Sequence, residues 1–365
     1  MRIVVATVVH HPQDARIFYR QIPALLDAGH DVTYIAPWAA FGLHRPESLH
    51  AVDVVRASGR RRLGALLRVR RLLRTEAGPA DMLMLHDPEL VAALAFSKRP
   101  VTVWDVHEDT AQALADKPWL PPTARPIVKA AVRALERLAE RRLHLTLAED
   151  SYQSRFQHPH VVVPNDTVVP PAPPPAGMDR VVYLGRLSTG RGAHDLLTLS
   201  RLLHPRVSLH LIGQGDAELL PLLEAGREDG RLRWHGFVPN ARALPMIEGA
   251  LAGLSLLKDE PNYRASRPTK VVEYMARGVP VITTPLPLAA ELVTRHRCGV
   301  VVPFNDPQAV ADAVDHLRTD SEARQAMATR GHAAARTYFN WSDRAPRFVE
   351  QLETWAQASS SRRSR

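Results

Sequence analysis

The run PNDTVVPPAPPPAGMD, residues 164–179, constrains this chain more than any other. Proline at 164, 170, 171, 173, 174 and 175 removes backbone donors and locks φ. Such a stretch belongs in neither a helix interior nor a central strand. It reads as a semi-rigid linker with extended geometry. On both sides of it, short apolar runs alternate with helix-like ones. Before it, RIVVATVV (2–9), DVTYIAP (31–37), DMLMLHD (81–87), VTVWDVHE (101–108), LHLTLAE (143–149) and HVVVPN (160–165) read as strands. ARIFYRQIPALLDAGH (15–30) reads as a helix closed at Gly29. After it the alternation restarts with RVVYLGRL (180–187), RVSLHLIGQG (206–215), LRWHGFVP (232–239), LAGLSLLK (251–258), PVITTP (280–285) and GVVVPF (299–304). Residues 306–339 supply two further helices. Continuous apolar strands separated by helices imply parallel sheets covered on both faces.

A chain of 365 residues suits two such domains. The expected boundaries are a first Rossmann-like α/β domain over 1–165, the linker over 166–179 and a second Rossmann-like domain over 180–340. A helix over 341–357 is expected to pack back on the first domain, with a disordered tail over 358–365. No run of about 18 uncharged apolar residues is present, so no spanning helix is expected. The start, MRIVVATVVHHPQD, reads as a first strand rather than a cleavable leader. Cys298 is the single cysteine, which excludes an intrachain disulfide and points to the cytoplasm.

The net charge of +9 raises nucleic acid as a partner. Only five of the 47 basic residues are lysine, an arginine skew that compositional bias produces without any binding surface. No helix-turn-helix, zinc-finger or RNP-like pattern accompanies the arginines, so nucleic acid is not expected. Basic charge clusters in 56–74 and 129–142, each with apolar residues at helical spacing. These are solvated helix faces or a peripheral contact with an anionic membrane surface. His10 with His11, and His158 with His160, form no complete ligand set, and no metal is expected.

In open parallel sheets, ligands bind beyond the carboxyl ends of the strands. GRLSTGRG (185–192) follows the first strand of the second half, with Arg186 and Arg191 flanking a glycine-rich loop. Glycine lets backbone approach an anion, and arginine offers a forked donor to phosphate oxygens. Gly213 and Gly215, in LIGQGD, mark a second strand-end turn. Neither half carries G-x-G-x-x-G after its first strand, which argues against a dinucleotide oxidoreductase, and no Walker motif is present. In RASRPTKVVEYMARGVP (264–280), Pro268 suits a helix start and Gly278 a helix end. Lys270 and Glu273 share one face between them. They form either an exposed Lys–Glu pair or a site where a cation meets phosphate and a carboxylate grips a vicinal diol. In the first half, Asp14 and Arg16 follow the first strand, His86 and Asp87 end another, and His107 with Glu108 ends VTVWDV.

These stretches together resemble the retaining GT-B glycosyltransferases of family four. RPTKVVEYMARGVPVITTP looks like their donor-site signature and VVYLGRLSTGRG like their phosphate-binding loop. HPQDARIFYRQIPALLDAGHDVTYIAP, HDPEL and WDVHED are similar to first-domain motifs, so the likeness spans nearly the whole chain. The resemblance implies a GT-B fold, two doubly wound Rossmann-like domains facing across a cleft. It implies transfer of a sugar from a nucleoside-diphosphate donor to an acceptor hydroxyl with retention of configuration, without a metal or other cofactor. Arg186 and Arg191 would hold the diphosphate, with lysine more usual at the second position. Lys270, Gly213 and Gly215 would line the donor site, and Glu273 would contact the ribose. His107 would be the active-site histidine. Asp14, Arg16, His86, Asp87 and Glu108 would face an acceptor, whether a glycan, a lipid-linked glycan or a small molecule. The first glutamate of the family's paired motif falls on Ala265, a departure. It keeps two alternatives open: a sugar-nucleotide 2-epimerase, and a non-catalytic nucleotide- or partner-binding subunit.

Overall fold

The computed structural model describes residues 1–57, 62–94, 100–107 and 121–363. The chain divides into two compact units, one of Met1–Asn165 with Asp343–Arg365, the other of Asp166–Ser342.

The first unit is built on a seven-stranded parallel sheet. Its strands are β1 (Arg2–Ala6), β2 (Asp31–Ala36), β3 (His50–Asp53), β4 (Met82–Leu85), β5 (Val101–Val106), β6 (His144–Leu147) and β7 (Val161–Val162). They lie in the order β3-β2-β1-β4-β5-β6-β7, with Ile3 beside both Val32 and Met82. The order reverses between β1 and β4, so the loops after these strands diverge and leave a crevice at their carboxyl ends. Strand β3 escapes the sequence pattern because HAVD is short and polar at both ends. The stretch 15–30 is not one regular helix: a π-helical turn over Ile17–Gln21 precedes an α-helix over Ile22–Asp27. Pro23 has no N–H to offer the preceding turn, and the wider turn accommodates it.

The second unit carries a six-stranded parallel sheet. It comprises β8 (Arg180–Leu184), β9 (Ser208–Ile212), β10 (Leu232–Trp234), β11 (Ala252–Ser255), β12 (Val281–Thr283) and β13 (Gly299–Val301). Their order is β10-β9-β8-β11-β12-β13, with the reversal between β8 and β11. Both faces are covered. Along β8, Val181 and Tyr183 enter one apolar cluster while Val182 and Leu184 enter the other. Each such fully buried aliphatic side chain contributes about 1.5–3 kcal/mol relative to exposure. The helices Pro307–Thr319 and Ser321–Tyr338 are each capped by an aspartate: Asp306 accepts from the Ala309 N–H and Asp320 from the Ala323 N–H, both at 2.9 Å.

The proline-rich stretch runs along the second unit. Thr167 N–H donates to the Phe339 carbonyl and Trp341 N–H to the Thr167 carbonyl, at 3.1 and 2.8 Å. The last helix, Trp341–Arg363, continues past residue 357, because its serines and arginines carry no helix-breaking chemistry. Within the first unit it is held by stacking of Trp355 on His144, with ring centroids 4.6 Å apart, and by Glu353 beside His30 at 3.1 Å.

Candidate functional site

Two groups of polar residues stand at the strand ends, one in each unit. In the second unit the chain leaves β8 through Gly185, whose φ of +122° lies outside the range of ordinary side chains. A Cβ at Gly213 would stand 1.9 Å from the Gly185 carbonyl oxygen, so glycine at 213 is what lets these two strand-end turns touch. At Gly215 a Cβ would meet Leu223 at 2.6 Å, which makes that glycine a packing requirement. The loop then closes through a 3-10 turn, Thr189–Arg191, into the helix Ala193–Leu203. Gly192 stands at its N-cap and brings no side chain to its first N–H groups. An uncapped helix N-terminus beside a glycine-rich loop favours an anion.

Arg191 and Lys270 converge on that loop. A Cβ built on Gly185 would lie 3.5 Å from Lys270 Nζ and 3.8 Å from Arg191 Nη1. Lys270 sits in the first turn of the helix Thr269–Ala276 and is 7% exposed. Its ammonium stands 3.6 Å from the centroid of the Tyr183 ring, and among the described residues Nζ has no hydrogen-bond partner. Burial, joined by the neighbouring Arg191 charge, lowers its pKa well below the ordinary lysine value, and Glu273 opposes the shift. Glu273, one turn on, is also buried and accepts from Asn240 Nδ2 at 3.1 Å. The exposed-pair alternative for Lys270 and Glu273 is therefore removed: both point inward. Arg186 differs, with an exposed side chain whose Nε meets Asp216 Oδ1 at 2.5 Å. Ala265 is exposed behind the short helix Pro261–Arg264.

In the first unit the hub is Asp105 on β5, fully buried. Arg16 forks onto it, Nε to Oδ2 and Nη2 to Oδ1, both at 2.7 Å. Thr146 Oγ1 donates to Oδ1 at 2.6 Å and Gln21 Nε2 to Oδ2 at 3.0 Å. Burial alone would raise the Asp105 carboxyl, but the Arg16 guanidinium outweighs it and holds the group well below the usual carboxylate range. Arg16 also reaches the Val163 carbonyl, so this acceptor-side candidate is committed to tying β5 to the chain beyond β7. Asp87 is committed as well, accepting from Val8 N–H at 2.5 Å and from Thr7 Oγ1 at 3.2 Å. His86 is buried and stacks on His107, centroids 5.5 Å apart. Burial lowers its pKa. Asp14 stands near His10 and His107: burial alone would raise its carboxyl, but those rings with the Ile17 and Arg16 N–H groups outweigh it and hold the group below the usual carboxylate value. Glu108 lies outside the described residues.

His86, Asp105 and His107 bring ligand-type atoms within 4.8 Å of one another. The set suits a cation poorly, because both Asp105 oxygens are already taken by a guanidinium and by hydroxyl and amide donors. Residues beyond the sequence-derived site candidates also stand in these clusters, among them His10, Asp105, Tyr183 and Asn240. Each had a weak local signal, a polar or aromatic residue in or just after a strand or at a helix start, but each gains its partner only through the fold.

The family described as Glycosyl transferases group 1 matches residues 170–333. Over 320 residues the chain is 28% identical to the phosphatidyl-myo-inositol mannosyltransferase of Mycobacterium leprae, covering 80% of this chain and 78% of that protein. Among solved structures, sucrose-phosphate synthase from Thermosynechococcus elongatus superposes with a TM-score of 0.75 at 16% identity, over 98% of this chain and 99% of that one. HepE of Anabaena, solved in complex with UDP, gives 0.65 at 15% identity, over 97% and 99%. The chain is similar to glycosyltransferases of this group, and it has the two parallel-sheet domains of the GT-B fold.

Replacing Arg16 by leucine strands a buried carboxylate, and a loss of about 3–5 kcal/mol is expected in urea unfolding. The sign with pH is defined. In the native protein the Asp105 pair stabilises above the unfolded carboxyl pKa, and that contribution fades as pH falls through the depressed folded value. In the variant, burial without the guanidinium raises the folded value, so its deficit should be smaller at pH 5 than at pH 8. A deficit that does not vary with pH would contradict this account.

Proposed function

We propose that the chain is a group 1 glycosyltransferase that transfers a sugar from a nucleoside-diphosphate donor to an acceptor hydroxyl, with retention of anomeric configuration. The observation that carries the reading is Lys270: a buried ammonium with no hydrogen-bond partner among the described residues, beside Arg191 and over Gly185. A buried cation whose donors find no acceptor is costly, and a bound anion relieves that cost. The diphosphate supplies such an anion, with its oxygens on Lys270, Arg191, a swung Arg186 and the N–H groups of the helix Ala193–Leu203. The buried carboxylate of Glu273 accepts the ribose hydroxyls. HepE of Anabaena, which shares the fold, was solved with UDP.

Preorganised cations stabilise the charge that builds on the leaving diphosphate as the bond from the sugar's anomeric carbon to phosphate oxygen breaks. The acceptor oxygen forms the new bond on the same face, and its proton passes to the departing phosphate oxygen. In the first unit His107, with Asp14 and His86 nearby, offers hydrogen-bonding groups to a substrate hydroxyl. Arg16 and Asp87 act as supports rather than contacts. No metal or cofactor enters this scheme. A lipid-linked or membrane-proximal glycan acceptor suits the basic face of the helix Arg62–Glu76, where Arg68, Arg71 and Arg74 are exposed and Leu67 is 70% exposed. Ile127, at 71%, adds an apolar tip on the helix Arg125–Glu140. No described helix is long and apolar enough to cross a membrane.

The decisive experiment is a thermal-shift panel of UDP, GDP, dTDP and ADP. One nucleotide at 100 times its dissociation constant should add about 2.7 kcal/mol of stability. Lys270→Met should lose that gain without lowering the stability of the nucleotide-free protein. A variant that unfolds earlier yet binds nucleotide as before would sink the reading. Turnover should persist in excess EDTA, and the product anomer seen by NMR should match the donor's; inversion, or loss of turnover on chelation, overturns the respective claim. The protein should float with anionic liposomes but not neutral ones, and reversing the charges of Arg68, Arg71 and Arg74 together should abolish the enrichment.

A further inference from the structure

Two imidazoles meet at the carboxyl end of the first sheet. His10 lies four residues past β1 and His107 directly after β5. Their Nε2 atoms are 2.8 Å apart, with ring centroids at 4.4 Å and planes at 78°. At that distance two lone pairs repel, and so do two N–H groups, so one nitrogen donates and the other accepts.

The flanking carboxylates decide which. His107 Nδ1 stands 3.4 Å from Asp105 Oδ2. A carboxylate held ionised by Arg16 only accepts, so this nitrogen carries the proton. In the neutral ring Nε2 is then the lone pair. His10 Nε2 lies 3.2 Å from Asp87 Oδ1 as well as 2.8 Å from His107 Nε2. It faces two acceptors and carries a proton toward both. Its backbone is fixed in turn, since His10 N–H donates to Thr7 Oγ1 at 3.1 Å and Thr7 Oγ1 donates to Asp87 at 3.2 Å. The ends of β1, β4 and β5 are thus joined through one line of groups, Asp87–His10–His107–Asp105.

We infer that His10 is the positioning residue for His107, holding it as the Nδ1–H tautomer with Nε2 as a preset acceptor. The inference rests on His107 serving the transferase site proposed above. When a substrate hydroxyl approaches, it takes the place of the His10 N–H at Nε2. A ring already turned and protonated for that contact loses no orientational freedom at the moment of binding. Removing the His10 donor therefore affects the reacting complex more than donor affinity, because the diphosphate is bound by residues of the second unit.

The test uses the full chain with ¹⁵N-labelled histidine, as wild type, His10→Phe and His10→Gln. Wild type should show His107 as the Nδ1–H tautomer near neutral pH. The Phe variant should show a mixture, and the Gln variant, which keeps an N–H at the same reach, should restore the single form. With a turned-over sugar donor of the nucleotide class that the thermal panel identifies, kcat should fall about tenfold in His10→Phe with KM for the donor unchanged, and His10→Gln should recover most of it. An Nε2–H tautomer in wild type overturns the inference whether or not a variant folds. So does an unchanged tautomer in His10→Phe. Full turnover by His107→Ala would instead sink the role of His107 while leaving the spectroscopic result readable.

Discussion

A strand in a parallel sheet ends in a loop that must hand the chain to a helix on one face or the other. Where strand order reverses, between β1 and β4 and between β8 and β11, neighbouring loops go to opposite faces. That divergence opens the only kind of place in such a sheet where side chains from several strands can meet without covering one another. Both polar groups in this protein stand there. His10 and Asp14 follow β1, His86 and Asp87 follow β4, the Gly185–Arg191 loop follows β8, and Lys258 follows β11. The chemistry of each unit is thus a consequence of its topology, and the apolar clusters exist to hold that topology.

The alternation of strands and helices was legible in the residues themselves, because apolar runs of four to six residues bounded by glycine or proline leave few other readings. The same reasoning pointed to the residues just after each strand. Pairing was what it could not supply. Arg16 and Asp105 are 89 positions apart, His10 and His107 are 97 apart, and Glu273 finds Asn240 across 33. None of these distances is written in local periodicity; they follow from strand order. For that reason Arg16 and Asp87 read equally well as substrate contacts, whereas their side chains are used up inside the first unit. Lys270 and Glu273 show the converse. Their spacing fits an exposed ion pair, and only the packing of the helix Thr269–Ala276, in which seven of eight residues are buried, turns both inward.

Glycine had a legible role but an incomplete reason. Flexibility near an anion accounts for Gly185, whose positive φ requires it. It does not account for Gly215, where the restriction is the side chain of Leu223. A glycine-rich loop therefore reports crowding as much as conformational freedom.

Charge is handled differently in the two units, and the difference bears on what each can recognise. In the first, the buried anion Asp105 has its cation in Arg16, and Asp87 is satisfied by an N–H and a hydroxyl. The partly exposed groups beside them are the imidazoles of His10 and His107, which donate or accept single hydrogen bonds and suit uncharged hydroxyls. In the second, Lys270 is buried with no hydrogen-bond partner among the described residues and stands beside a second cation, Arg191. Glu273, one turn on, offsets part of that charge but leaves the Lys270 donors without an acceptor among the described residues. A polyanion on one unit and a hydroxyl-bearing acceptor on the other is the division of labour that this asymmetry favours. Arg16 and Asp105, paired with each other inside the first unit, are correspondingly not among the groups left for a ligand. A side chain that has spent its charge on the fold has none left for a ligand.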